Sequence, residues 1–454
     1  MATDIIVLGG GSAGYAAALR AAELGKQVVL IERDKVGGTC LHRGCVPTKA
    51  LLHVAEVVDT VGEAASVGVR ATLEGVDVEA MQAFRRGIVA KKHKGLEGLL
   101  AARKITVVVG DGRLEQPGRV RVGDEVFEAP DVIVATGART RDLPGVTAGG
   151  RVLTSETALE LDEIPARVVV LGGGVIGVEF ASMWRSLGAD VTVVEALPSL
   201  VPNEDETLRK GLERAFRKRG IIARTGTRVA SVAQTDTEVT VTLEDDSVLT
   251  ADYVLVAIGR VPAIDGIGLE EAGVGVERGF VVVDEQLRTA APGVWAVGDI
   301  VPGPQLAHRG FQQGIFVAEQ IAGTNPTAVP DENVPRITYS QPELAAVGLT
   351  KAQAEERFGA DAVAVVDYNL AGNARSEILG TAGSVRVVRR VDGPVVGVHM
   401  IGSRVGELIT EAQLIIGWEA HPEDVKPFLH AHPTQSEALG EALLALAGSP
   451  LHTL

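Results

Sequence analysis

Only two cysteines occur in the 454-residue chain, five positions apart in Gly37-Gly38-Thr39-Cys40-Leu41-His42-Arg43-Gly44-Cys45-Val46-Pro47-Thr48-Lys49. Thiols at that separation can pair or stay apart, and any nucleophilic chemistry belongs to the thiolate. Gly37, Gly38 and Gly44 let the backbone turn tightly and approach a flat ligand, because no Cβ intervenes. Pro47 suits the first turn of the helix expected over Thr48–Ala55. A thiolate at such a helix start gains from the exposed N–H groups and the positive end of the dipole. Zinc is not indicated, since a structural site would need four ligands and hence a second Cys or His pair.

Two repeats can position a reaction at these thiols. Ile5–Leu8 reads as a buried strand that enters Gly9-Gly10-Gly11-Ser12-Ala13-Gly14, then an alanine-rich helix, then a strand Gln27–Ile31 ending on Glu32. Val168–Leu171 enters Gly172-Gly173-Gly174-Val175-Ile176-Gly177, a helix through Trp184, and a strand Val191–Val194 ending on Glu195. Each is a dinucleotide fingerprint: glycines for the turn and for close approach of a pyrophosphate, a helix N-terminus for its charge, and an acid for ribose hydroxyls. The candidate contacts are Gly9, Gly11, Ser12, Ala13, Gly14 and Glu32 in the first, and Gly172, Gly174, Ile176, Gly177 and Glu195 in the second. Two fingerprints about 160 residues apart imply two dinucleotides on one chain, the arrangement of an electron relay.

The expected fold is α/β, with two Rossmann-like dinucleotide-binding domains and a C-terminal α/β interface domain. The boundaries expected are 1–145 for the first dinucleotide domain, 146–262 for the second, 263–330 for completion of the first, and 331–454 for the interface unit, which has no glycine fingerprint. Between 55 and 110 the chain reads as amphipathic helix, with Arg85, Arg86, Lys91, Lys92 and Lys94 on a solvated face. Helices are also expected over Gln312–Ala322 and Val405–Trp418, and a β-meander over Val229–Leu249. The net charge of −16, from 43 basic and 59 acidic residues, disfavours nucleic acid as a partner. The first apolar run is far shorter than a membrane span. With two cysteines and no visible targeting segment, a cytoplasmic protein is expected, any disulfide being catalytic.

The cysteine stretch closely resembles the redox-active signature of the class I flavoprotein disulfide reductases, departing from common family usage at His42, Val46 and Thr48. Motifs matching that family run from residue 5 to residue 437. The resemblance implies FAD on the first fingerprint, a nicotinamide on the second, and a redox-active Cys40–Cys45 disulfide. Cys40 would face substrate and Cys45 the flavin. It further implies cofactor contacts at Arg33, Gly38, Thr39, Lys49, Thr136, Gly137, Gly259 and Asp299, and a Lys49–Glu179 ion pair beside the flavin. The stretch His430–Glu437 is similar to the family's C-terminal motif, which implies that His432 is the catalytic base and Glu437 orients it. His430 and His308 receive no catalytic role. Glu195 can accept from a free ribose 2′-OH and would repel a 2′-phosphate, and no Arg follows it through Leu200, so NAD is expected over NADP.

The implied activity is oxidation of dihydrolipoamide carried on lipoyl domains of 2-oxo acid dehydrogenase complexes or the glycine cleavage system, by a homodimer. Reduction of another small disulfide of mycothiol or glutathione type is the alternative within the enzyme class. A docking subunit with a vestigial redox site is the alternative outside it.

Overall fold

The computed structural model describes residues 2–453. The run Ile5–Leu8, buried throughout, is the central strand of a five-stranded parallel sheet ordered Val294–Ala296, Asp131–Val134, Ile5–Leu8, Val28–Glu32 and Thr106–Val109. Strands covered on both faces carry continuous apolar runs, which is why this segment does not alternate. Helix α1 (Ser12–Glu23) follows the glycines, α2 (Gly38–Arg43) and α3 (Cys45–Glu63) carry the cysteines, and α4 (Val78–Ala102) runs beside α3. A three-stranded antiparallel meander, Gly112–Gln116, Arg119–Val122 and Glu125–Glu128, follows.

Two short antiparallel strands, Ala138–Thr140 and Arg260–Pro262, connect this unit to the second. There the arrangement repeats in a parallel sheet ordered Ile222–Thr225, Asp190–Glu195, Arg167–Leu171, Tyr253–Val256 and Val152–Thr154. Its helices are α5 (Ser155–Ala158), α6 (Val175–Ser186) and α7 (Glu206–Lys218), and the meander expected within Val229–Leu249 forms three strands ending at Ala251. The chain then returns to the first sheet at Val294–Ala296 and lays α8 (Ala307–Ile321) on α1. Residues 336–402 form a five-stranded antiparallel sheet covered by helices Ile409–Gly417 and Glu437–Leu446. The fold is thus the α/β architecture expected, with two Rossmann-like units and a third α/β unit.

The three units meet on α6. Leu51 and Ala55 of α3, Met81 of α4, and Leu344, Ala346 and Ile401 of the third unit join the core built around Phe180, Trp184 and Phe216. Among the described residues no helix is long and apolar enough to cross a membrane.

Several elements differ from expectation. Helix α3 starts at Cys45, earlier than Thr48, which places Pro47 at its third residue. The 55–110 stretch is divided: α3 ends at Glu63, and irregular backbone over 68–77 precedes α4. Helix α8 starts at Ala307 rather than Gln312, and its Gly310 and Gly314 lie against Ala13 of α1; a Cβ at 314 would stand 2.2 Å from the Ala13 carbonyl oxygen. The helical stretch expected over Val405–Trp418 opens with a 3₁₀ turn at Val405–Glu407. Arg85 is not on a solvated face: it is 3% exposed. Its Nε donates to Gln82 at 2.6 Å and its Nη2 to Glu160 at 2.7 Å. Helical periodicity alone does not reveal that a second unit covers that face.

Candidate active site

Both glycine loops have the same strained geometry. Gly9 and Gly172 lie at φ +106° and +105°, and a Cβ on either would stand 2.4 Å from the carbonyl oxygen of Ala135 or Ala257. Gly14 and Gly177 press on Gly9 and Gly172, where a Cβ would fall 1.8 and 1.9 Å from the respective carbonyl oxygens. Gly11 and Gly174, by contrast, face open space. They precede helices α1 and α6, neither of which has a capping side chain or an acid in its first turn. Ser12 and Ala13 open α1, and Ile176 lies in the first turn of α6. Uncapped N–H groups beside an open glycine are what a pyrophosphate requires.

The acids sit beside these loops. Glu32 accepts the Gly10 N–H at 2.7 Å, and Glu195, buried, accepts the Gly173 N–H at 2.6 Å. Burial raises the Glu32 carboxyl above its ordinary range, with the Gly10 N–H opposing. The first loop adds Gly38, whose Cβ would come 2.7 Å from the Gly11 Cα, followed by Thr39. Thr136, after the strand Asp131–Val134, has a buried hydroxyl without a partner, and Gly137 beside it faces open space at φ +74°. Asp299, next to Gly298, has its carboxyl raised by burial, with Arg260 and Arg309 opposing. An orphaned buried hydroxyl, open glycines and uncapped helix starts fit a flavin dinucleotide at the first loop and a second dinucleotide at the other. Arg33 is exposed, and Gly259 lies at φ +112° where the chain enters the connecting strand.

The cysteines are free thiols, Cys40 in α2 and Cys45 at the first residue of α3. Cys45 is lowered to about 7 chiefly because the Cys40 thiol donates to it; the protein crowding its sulfur opposes this, and the Lys49 ammonium assists. Cys40 moves the other way, since it gives that hydrogen bond and is itself half-buried. One thiolate, at Cys45, is therefore favoured near neutrality. Tyr15 is pushed up to about 12 by burial and by the two cysteines.

Lys49 lies one turn on from Cys45. Packing of α3 on α6 brings its Nζ 3.0 and 2.9 Å from the two carboxylate oxygens of Glu179. Burial works against the ammonium, but Glu179 outweighs it and holds Lys49 above its usual range. The sequence gives no warning of the third member, Tyr339: its backbone N–H donates to Glu179 at 3.0 Å and its ring centroid lies 4.8 Å from Nζ. In Thr338-Tyr339-Ser340-Gln341 nothing marks it. The Gly310/Gly314 spacing on α8 was a readable sign of close helix packing.

In the third unit, His432 Nδ1 and Glu437 Oε1 are 2.8 Å apart, and Glu437 Oε2 accepts the Thr434 N–H at 2.7 Å. Burial opposes, but the Thr434 N–H and His432 hold Glu437 below the usual carboxylate range. An ionised Glu437 fixes Nδ1 as the donor, which leaves Nε2 free to accept a proton. His432 is 73% exposed, and among the described residues its hydrogen bonding stops at Glu437. His430 bonds Glu411 at 2.7 Å, and His308 bonds the Pro335 carbonyl at 2.7 Å.

Two nucleotide-binding sheets flanking a dithiol, with a His–Glu pair in an added domain, define a flavin- and nicotinamide-linked disulfide oxidoreductase. Residues 3–314 match the family model of the pyridine nucleotide-disulphide oxidoreductases, and residues 334–443 match that family's dimerisation domain. The chain belongs to this family. It is 38% identical to a dihydrolipoyl dehydrogenase of Bacillus subtilis and 39% identical to one of Thermus scotoductus, each alignment covering 99% of both chains. Among solved structures, LpdA from Mycobacterium tuberculosis superposes with a TM-score of 0.92 at 30% identity, over 98% of this chain and 99% of that one. The HOCl-induced flavoprotein disulfide reductase RclA from Escherichia coli gives 0.87 at 28% identity, over 97% and 99%.

Proposed function

We propose that the chain is a dihydrolipoamide dehydrogenase, which oxidises dihydrolipoamide with FAD and NAD as its cofactors. The observation that carries the residue assignment is the placement of Cys45 at the first residue of α3, one turn before Lys49, whose ammonium is held by Glu179 at 2.9 Å. When bound, the flavin would supply a two-electron acceptor and the nicotinamide a hydride acceptor. The protein residues perform the thiol chemistry.

Starting from an oxidised Cys40–Cys45 pair, His432 takes a proton from one substrate thiol at Nε2. The thiolate formed attacks the Cys40 sulfur and expels Cys45 as a thiolate, giving a mixed disulfide. The second substrate thiol then loses its proton and attacks the substrate sulfur bound to Cys40. The lipoyl ring closes as a disulfide and Cys40 leaves, taking up a proton. Two electrons have moved from the substrate to the cysteine pair. The roles of Lys49 and Glu179 are to place a fixed positive charge beside Cys45 and to orient it.

The dinucleotide contacts proposed are Gly9, Gly11, Ser12, Ala13, Gly14, Glu32, Arg33, Gly38, Thr39, Lys49, Thr136, Gly137 and Asp299 for FAD. For NAD they are Gly172, Gly174, Ile176, Gly177, Glu195 and Gly259. The chain carries the family's dimerisation domain, and on this proposal it works as a homodimer serving lipoyl domains. Parallel assays with dihydrolipoamide and NAD, and with NADH and lipoamide, glutathione disulfide or mycothiol disulfide, test the substrate. Turnover should be fastest with the lipoyl pair. A higher kcat/KM for another disulfide would replace this substrate with that one.

A further inference from the structure

Outside the redox site, a cavity of about 600 Å³ opens behind α2, between α4 and the segment Glu156–Glu160. None of the fingerprint glycines lines it, nor does Glu32 or Glu195. Its walls come from both nucleotide-binding units: Lys35, His42, Arg86 and His93 from the first, Glu156 and Glu160 from the second. The carboxylates are already engaged. Asp34 pairs with Arg43, Glu156 lies 3.9 Å from the same guanidinium, and Glu160 accepts from Arg85 at 2.7 Å. Lys35 and Arg86 have no ion pair among the described residues.

The two imidazoles meet edge to face with centroids 4.9 Å apart. His42 Nε2 is held by the Val36 carbonyl at 3.0 Å, which leaves its Nδ1 without a protein partner among the described residues. Within a chain of net charge −16, this wall collects four cations against three carboxylates. Two long unpaired cations suit the oxygens of a small tetrahedral oxyanion; His42, whose Nε2–H donates to Val36 and whose Nδ1 is therefore an acceptor, can take the hydrogen of a protonated phosphate oxygen, while His93 Nε2 lies 3.7 Å from Glu97.

We propose that this cavity binds a small phosphate-bearing anion, held by Lys35 and Arg86 with His42 and His93, at the seam between the two nucleotide-binding units. His42 lies on α2 between the two cysteines in sequence, so an occupant braces the helix that carries Cys40 against the second unit.

The test uses the FAD-loaded protein saturated with NAD, so that both fingerprint helix starts are filled. Inorganic phosphate is titrated at constant pH against sodium chloride of matched ionic strength. The readout is the imidazole C–H resonances of His42 and His93, assigned through His42→Gln and His93→Gln. Phosphate should shift both signals saturably and chloride should not. Affinity should fall about tenfold or more, the loss of one charge-assisted contact, in Arg86→Gln and further in Lys35→Ala/Arg86→Gln. Both side chains are exposed, and retained FAD absorbance verifies that the variants fold. Equal shifts with chloride, shifts that do not saturate, or unchanged affinity in the double variant would overturn the site.

Discussion

At Cys45, an exposed residue, two opposed influences decide the chemistry: the protein crowding its sulfur displaces water and disfavours a thiolate, while the Cys40 thiol and the Lys49 ammonium favour it and prevail. The thiolate fraction of the reduced enzyme should therefore rise as pH increases through about 7, read as the ultraviolet thiolate absorbance lost in Cys45→Ser. Lys49→Met should move that midpoint upward, since it removes a positive charge that favours the ionised form; an unmoved midpoint would deny Lys49 its part. Glu195 is the corresponding test at the nicotinamide end. Glu195→Gln should lower the preference for NAD over NADP, measured as the ratio of kcat/KM values, by roughly tenfold or more, the size of one charge-assisted hydrogen bond (~1.5–3 kcal/mol). The variant keeps an acceptor for the Gly173 N–H, so an unchanged ratio would mean that Glu195 only holds the loop. The cysteines were nameable from a local motif, and Lys49, Glu179, His432 and Glu437 only as what the family resemblance implies, since Lys49 and Glu179 lie 130 positions apart. Tyr339 was not, since its place beside Lys49 arises only when the third unit closes on α6.

The elements that hold nucleotides were the most legible part of the chain. Backbone chemistry writes them directly: a glycine at positive φ, a second with no room for a Cβ, and a helix left uncapped. What stayed hidden depends on partners distant in sequence. Arg85 read as solvated because nothing in α4 announces that the second unit, with Glu160, will cover it, and the packing of α8 on Ala13 through Gly310 and Gly314 joins segments about 300 residues apart. The twin loops allow a selective experiment. A methyl at Gly177 would stand 1.9 Å from the Gly172 carbonyl oxygen, so Gly177→Ala should lose NAD affinity by an order of magnitude or more, about 1.4 kcal/mol per decade, while retaining FAD. Gly14→Ala, facing the same overlap at the first loop, should lose FAD instead. Flavin absorbance per protein and NAD titration separate the two, and loss of both cofactors in each variant would show that the loops do not act independently.

For the whole molecule, the central question is how His432 reaches the thiols. It is exposed, paired to Glu437, and carried by the unit that matches the family's dimerisation domain, whereas the cysteines belong to the first unit. A two-fold interface exchanges equivalent surfaces, so each chain can lend the histidine it receives. His432→Ala in both chains should slow dihydrolipoamide oxidation by roughly 10²–10⁴-fold, the usual contribution of a general base. The direct measurement is the activity of a purified mixed dimer of one His432→Ala chain and one Cys45→Ser chain, the two carrying different tags. If the base is lent across the interface, one of the two sites regains an intact cysteine pair and an intact histidine, and about half of the native activity returns. A mixed dimer as inactive as its parents, with FAD bound, would place the base within its own chain and contradict this account.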